Sequence, residues 1–174
     1  MTTIYYAAGS LDGFIADPGH SLDWLLTRDV DGSGPMGIDT FLPGVGAMAM
    51  GATTYRWIRE NLPGGWPYTV PCWVFTHHRP ERPDGADVQF TAEDVADVHE
   101  QMVGAAAGQH VWIVGGGELA GQFADRGLLD ELWVQWAPVT LGGGAPLLPR
   151  RLEFRYEELV RNGEFACARL SVVR

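Results

Sequence analysis

Gly115, Gly116 and Gly117 stand between the apolar run Val111-Trp112-Ile113-Val114 and a segment in which Leu119, Ala120, Phe123 and Ala124 recur at helical spacing. The run reads as a buried strand and the segment as a helix that stops at Gly127. A strand that passes through bare glycines into a helix lets the backbone approach a ligand closely. Its N–H groups then face outward at the positive end of the helix, which suits a phosphate or pyrophosphate. Taken alone, the same sequence is equally a tight turn with no ligand, so its weight depends on the rest of the chain.

Other chemistry-bearing patterns are sparse. No Ser/His/Asp arrangement and no metal-ligand spacing occurs, and His77-His78 is too short a motif for a metal site. Cys72 and Cys167 lie far apart in apolar runs and read as two free thiols of a reducing compartment. The formal net charge is −10 and no basic run exists, which disfavours a nucleic-acid partner, since that affinity comes from clustered Lys and Arg. Hydrophobic residues make up 46% and charged residues 20% of 174 positions, a balance that argues for one globular domain over residues 1–174 and against disorder. The N-terminus enters Thr3-Ile4-Tyr5-Tyr6-Ala7-Ala8 without a signal-like region, and no apolar stretch approaches the ~18 residues that span a bilayer. A cytoplasmic protein without membrane partners is expected.

The elements that must carry the glycine turn follow from periodicity. Strands are expected at Thr3 to Gly9, Val45 to Met50, Cys72 to Thr76, Val111 to Val114 and Leu132 to Val139. Helices are expected around Ile38 to Leu42, from Thr53 to Glu60, and over Val95, Val98 and Met102, the last opened by a Thr91–Asp94 pair. Asp12-Gly13 marks a turn, and the Asp-, Gly- and Pro-rich stretch from Ala16 to Pro35 reads as an irregular lid around Trp24. Phe154 to Val160 and Phe165 to Val173 flank Asn162-Gly163 as a hairpin. Strands alternating with helices, then an antiparallel pair, give a mixed, mostly parallel sheet with helices on both faces. The turns at Gly9–Asp12, Gly51–Thr54, Thr76–Arg79 and Gly115–Leu119 all follow strands and should gather on one edge, where ligands bind in such sheets.

In this order, Ser10-Leu11-Asp12-Gly13-Phe14-Ile15-Ala16, Gly51-Ala52-Thr53-Thr54-Tyr55, Thr76, Val114-Gly115-Gly116-Gly117-Glu118-Leu119, and Asp130-Glu131-Leu132 leading to Ala137 through Leu148 resemble the dihydrofolate reductase-like superfamily. The resemblance is strongest to the reductase domain of bacterial riboflavin biosynthesis and spans nearly the whole chain. It implies a three-layer α/β/α fold and NADPH-dependent hydride transfer to a small heterocyclic substrate, as in 5-amino-6-(5-phosphoribosylamino)uracil reductase. Carried over by position, Ala8 and Ile15 flank the nicotinamide. Gly51, Thr53 and Thr54 offer donors to the pyrophosphate, and Val114, Gly115, Gly116, Gly117, Glu118 and Leu119 form a second backbone cradle. Thr76 and His77 lie at the cofactor's edge, and the Gly115–Gly116 step resembles a cis peptide. Such enzymes leave the chemistry to the cofactor, consistent with the sparse acid–base machinery here.

Two positions depart from the pattern. Ala52 stands where an Arg commonly meets the adenosine 2′-phosphate, leaving His77, His78 or Arg79 to compensate. The carboxylate that holds a pterin in folate reductases has no direct counterpart; counting back from Gly51 reaches Pro35, and the nearest acid is Asp39. Asp39, Gln135 and Trp24 are the candidates for substrate contact. A dihydrofolate reductase and an inactive nucleotide-binding module are the alternative readings. No His-x-Glu and Cys-x-x-Cys pair occurs, so zinc-dependent deamination is not expected of this chain. The apolar segment Trp133 to Leu148 points to a homodimer.

Overall fold

The computed structural model describes residues 1–62 and 64–174. The chain runs β1 (Thr3–Ser10), β2 (Phe14–Ala16), α1 (Asp23–Leu26), α2 (Ile38–Phe41), a 3-10 turn (Leu42–Gly44), β3 (Val45–Gly51) and α3 (Ala52–Asn61). It continues through β4 (Cys72–Phe75), β5 (Val88–Thr91), α4 (Val95–Ala106), β6 (His110–Gly115), α5 (Gly117–Asp125) and β7 (Glu131–Ala137). The last elements are β8 (Ala145–Pro146), β9 (Phe154–Asn162) and β10 (Phe165–Val172).

Eight strands form one sheet in the order β5-β4-β3-β6-β1-β7-β10-β9. Strands β5, β4, β3, β6, β1 and β7 are mutually parallel, and the β9–β10 hairpin is added antiparallel along β7. Alternate residues of the central strands separate into two layers, as the period of two requires. Tyr5, Ala47, Ala49, Val111, Ile113 and Val134 face α4 and α5 through Val98, Met102, Leu119 and Phe123. Ile4, Tyr6, Met48, Met50 and Trp112 face α2 and α3 through Phe41, Tyr55 and Ile58. Small residues in β3 set the spacing: a Cβ at Gly46 would lie 2.4 Å from the Ala106 carbonyl oxygen, so α4 rests directly on the strand. Among the described residues, no helix is long and apolar enough to cross a membrane.

Several elements depart from the sequence reading. The four-residue edge strand β5 and the β2–β8 ladder are too short to show a period. Asp94 caps α4 by accepting from the Ala96 N–H at 2.9 Å, whereas Thr91 ends β5 and accepts from Glu93 N–H; the two are not a reciprocal capping box. The hairpin turns at Gly163-Glu164, one residue later than expected, with Gly163 at φ +57°. Asn162 closes β9, and its buried side chain holds the irregular segment 16–35. Its Oδ1 accepts from Asp31 N–H at 3.0 Å, and its Nδ2 donates to the carbonyls of Asp31 at 2.8 Å and Pro35 at 3.1 Å. Glu164 adds a second tie, accepting from the Asp29 N–H at 2.7 Å. Asn before Gly is turn chemistry by sequence; here its amide holds a segment more than a hundred residues away instead.

Candidate functional site

The parallel strands β1, β3, β4 and β6 end on the same edge, and the order reverses there: the chain steps outward from β3 through β4 to β5, returns to β6 between β3 and β1, and then crosses to β7 on the far side of β1. At this edge opens a cleft of about 600 Å³. Its floor is the ends of β1 (Ala7, Ala8), β3 (Gly51) and β6 (Val114, Gly115), and its walls are the first turns of α3 and α5. Ile15 of β2, with Ala145 and Pro146 of β8, closes one side, and His20, Leu22 and Leu25 of the irregular segment overhang it.

The two helix starts meet at one place. Met50 and Gly115 are register partners, and a Cβ added at Gly51 would lie 3.9 Å from both Gly115 O and Gly116 N. Thr54 Oγ1 would stand 3.4 Å from a Cβ on Gly115. Unpaired N–H groups of two helices therefore converge on one cleft, as an oxyanion-rich ligand needs. The Gly115–Gly116 peptide bond is cis.

The three glycines serve different ends. A Cβ on Gly116 would meet nothing nearer than Ile15 Cδ1 at 3.9 Å, on the cleft side. A Cβ on Gly117 would lie 2.2 Å from Pro146 O and 2.4 Å from Leu147 O. Gly116 is therefore open to a ligand, whereas Gly117 lets α5 seat against the chain after β8. Tyr5 supports the same joint from below, donating its hydroxyl to Leu147 O at 3.0 Å; burial pushes its pKa up and keeps it a neutral donor.

Of the residues singled out from sequence, Ala8, Ile15, Gly51, Thr53, Thr54 and Val114 through Leu119 all line the cleft. Thr76 and His77 do not; they leave the sheet beside it, because Gly51 pairs with Phe75. Thr76 is held by β5, its N–H donating to Thr91 O at 2.8 Å, and His77 is exposed. The three substrate candidates lie outside the cleft. Gln135 Nε2 is spent on Tyr6 Oη at 2.8 Å and Met36 O at 2.7 Å, a buried polar group satisfied within the protein. Asp39 is exposed on α2. Trp24 packs beside Met36, Phe165 and Cys167 and donates to Ser21 O at 3.1 Å, so it anchors the overhang while Leu22 and Leu25 face the cleft. His20, Leu22, Leu25, Trp57 and Pro149 escaped the sequence reading because loop residues and a helix's second turn carry no period that points at a ligand.

Asp12 holds the cleft's β8 side in place. Its carboxylate accepts from Ser10 Oγ at 2.6 Å and from the N–H groups of Leu141 and Gly142, the latter at 2.7 Å. The Ser10 hydroxyl first, then those backbone donors, lower its pKa from 3.8 to about 2. A depressed carboxyl contributes stability that is present above its unfolded value and lost as pH falls through the folded one. We expect Asp12→Asn to melt below wild type at neutral pH, with the gap closing between about pH 4 and pH 2. A gap independent of pH in thermal melts would contradict this.

A mixed three-layer sheet with a C-terminal antiparallel hairpin and this strand-end cleft is a dihydrofolate reductase-like domain. Residues 2–167 match the RibD C-terminal domain, and the chain belongs to that reductase-like family. The curated protein YwjB of Bacillus subtilis (strain 168) is 34% identical over 152 residues, covering 83% of this chain and 81% of that one. A crystal structure of a Shewanella sp. PV-4 protein named for riboflavin biosynthesis superposes with a TM-score of 0.83 at 27% identity, over 100% of both chains. A Thermotoga maritima diaminohydroxyphosphoribosylaminopyrimidine deaminase/5-amino-6-(5-phosphoribosylamino)uracil reductase shares the fold, with a TM-score of 0.66 at 15% identity. That match covers 99% of this chain and 56% of the Thermotoga one.

Proposed function

We propose that the protein is an oxidoreductase that binds a reduced nicotinamide dinucleotide in the strand-end cleft and reduces a small heterocycle there. The observation that carries this reading is the convergence of two helix starts and an open Gly116 on a cleft that Ala8 and Ile15 also line. In this arrangement the first turns of α3 and α5, with Thr53 and Thr54, hold the pyrophosphate. Ala7, Ala8 and Ile15 pack the nicotinamide, and the overhang from His20 to Leu25 keeps water from the acceptor. The cofactor supplies the hydride; the protein supplies orientation. The cleft's own carboxylate, Glu118, is bound by Arg150 through two nitrogens at 2.8 and 3.1 Å and held below the ordinary range. With Asp39 outside the cleft, neither acid is placed to hold a pterin, which favours this reading over a folate reductase.

The test is acceptor-dependent oxidation of NADPH or NADH over a panel of aminopyrimidines and pterins. Turnover with an aminopyrimidine supports the reading; coenzyme binding without oxidation by any acceptor would favour an inactive nucleotide-binding module. Coenzyme preference should be modest, because Ala52 offers no guanidinium to a 2′-phosphate. We expect the kcat/KM ratio of NADPH to NADH to lie below about tenfold, and Ala52→Arg to raise it by about tenfold, the worth of one charge-assisted hydrogen bond. A large wild-type preference would place another arginine, such as Arg79, at the phosphate.

We also propose a homodimer. Strand β7 lies inside the sheet, so the Trp133 to Leu148 segment offers less surface than its sequence suggested: Trp133 and Trp136 are half-buried on opposite faces. The edge strand β9 instead exposes Tyr156 at 59% and Leu159 at 65%. Light scattering at micromolar concentration should give twice the chain mass; a monomer would refute the dimer.

A further inference from the structure

Among the described residues that line the cleft there is no lysine or arginine for an anionic acceptor, and His20 is the one basic side chain. The chain has twelve arginines and no lysine. Two arginines adjoin lining residues in sequence: Arg56, beside Trp57, is exposed on α3 and does not line the cleft, and Arg150, beside Pro149, is committed elsewhere. Its Nε donates to both carboxylate oxygens of Asp125 at 2.8 and 3.0 Å, Nη1 to Glu118 and Pro149 O, and Nη2 to Glu118 at 2.8 Å. The Arg150 side chain lies against Gly121, where a Cβ would stand 3.0 Å from its Cζ, so it is pinned to α5. The backbone donors of α3 and α5 are those the coenzyme's pyrophosphate takes under the proposed function, on which this inference rests.

What remains for the acceptor is an apolar wall and one polar group. Leu22 and Leu25 overhang the cleft, and Ile15 and Trp57 face it. Among the described residues that line it, His20 is the titratable side chain with no hydrogen-bond partner; Tyr5 and Glu118 are both engaged. His20 has φ +60°, and the turn that carries it is tied by Asp17. The Asp17 carboxylate accepts from the N–H groups of Gly19 and Ser21 at 2.8 Å, and its carbonyl accepts from His20 N–H at 2.9 Å. Burying a phosphate against leucines without a paired cation is costly, whereas a neutral ring gains from that wall and needs only one hydrogen bond. We infer that the acceptor is an uncharged heterocycle without a phosphate group, in contrast to the phosphoribosyl substrate in the Thermotoga enzyme's name, with His20 as its hydrogen-bond partner.

The experiment is ligand-observed NMR on the protein saturated with NADP+, using matched pairs of neutral heterocycles and their phosphate esters, including a uracil riboside and its 5′-phosphate. Neutral members should bind at least tenfold more tightly than their esters, and Leu22→Arg should narrow that gap by restoring a cation. Esters that bind as well as or better than their neutral partners would overturn the inference, as would the absence of any neutral binder. NADP+ binding is titrated first, so failure of the coenzyme reading shows separately; without NADP+ bound, the α3 and α5 donors stay free for an ester's phosphate and the inference falls with that reading.

Discussion

Gly116→Val will keep the fold and lose the coenzyme. The backbone at Gly116 has φ −82° and ψ 176°, which any residue adopts, and the nearest atom to an added Cβ is 3.9 Å away. The substitution should therefore leave Tm within about 2 °C of wild type. The added methyl groups would occupy the space in which a phosphate meets the α5 backbone. Displacing two charge-assisted hydrogen bonds corresponds to a loss of about a hundredfold or more in affinity. Calorimetric titration with NADPH reads it, and unchanged affinity in a folded variant would remove the α5 turn from the site.

Its neighbour should behave in the opposite way. Gly117→Ala places a Cβ against two backbone carbonyls at 2.2 and 2.4 Å, neither of which can turn aside as a flexible side chain would. The α5 start and the Pro146–Leu147 segment must part, at a cost of about 2–3 kcal/mol. For a chain of this size that lowers Tm by roughly 5–10 °C. A scanning-calorimetry melt within a degree of wild type would show that the joint between α5 and β8 is looser than these distances require. The pair of variants separates two jobs that a run of three glycines hides.

That separation marks how far the sequence could be read. The strand, the glycine turn and the α5 helix were legible because a buried strand and an amphipathic helix impose different periods on the same chain. The shared edge of β1, β3, β4 and β6 followed from their alternation with helices. The role of Gly117 was not legible, since it depends on Pro146 and Leu147, which arrive from nearly thirty residues away. Gln135 drew notice as a polar residue in an apolar strand, a sound signal of a specific partner. The partners are Tyr6 and Met36, and only the register of β1 against β7 with α2 above it reveals that. Trp24 misled for a related reason: it packs with Leu25 against Met36, Phe165 and Cys167 and does not line the cleft, whereas Leu22 and Leu25 do. His20 lies in a loop whose shape is set by Asp17, so no periodic pattern could point to it.

The central claim is that the cleft between the α3 and α5 starts holds a reduced nicotinamide dinucleotide. Titration of the purified protein with NADPH and with NADH, followed by coenzyme fluorescence, tests it most directly. Saturable binding of one coenzyme per chain is expected, lost in Gly116→Val and kept in Asp12→Asn at neutral pH. Absence of saturable binding of either coenzyme to the folded wild-type protein would contradict it.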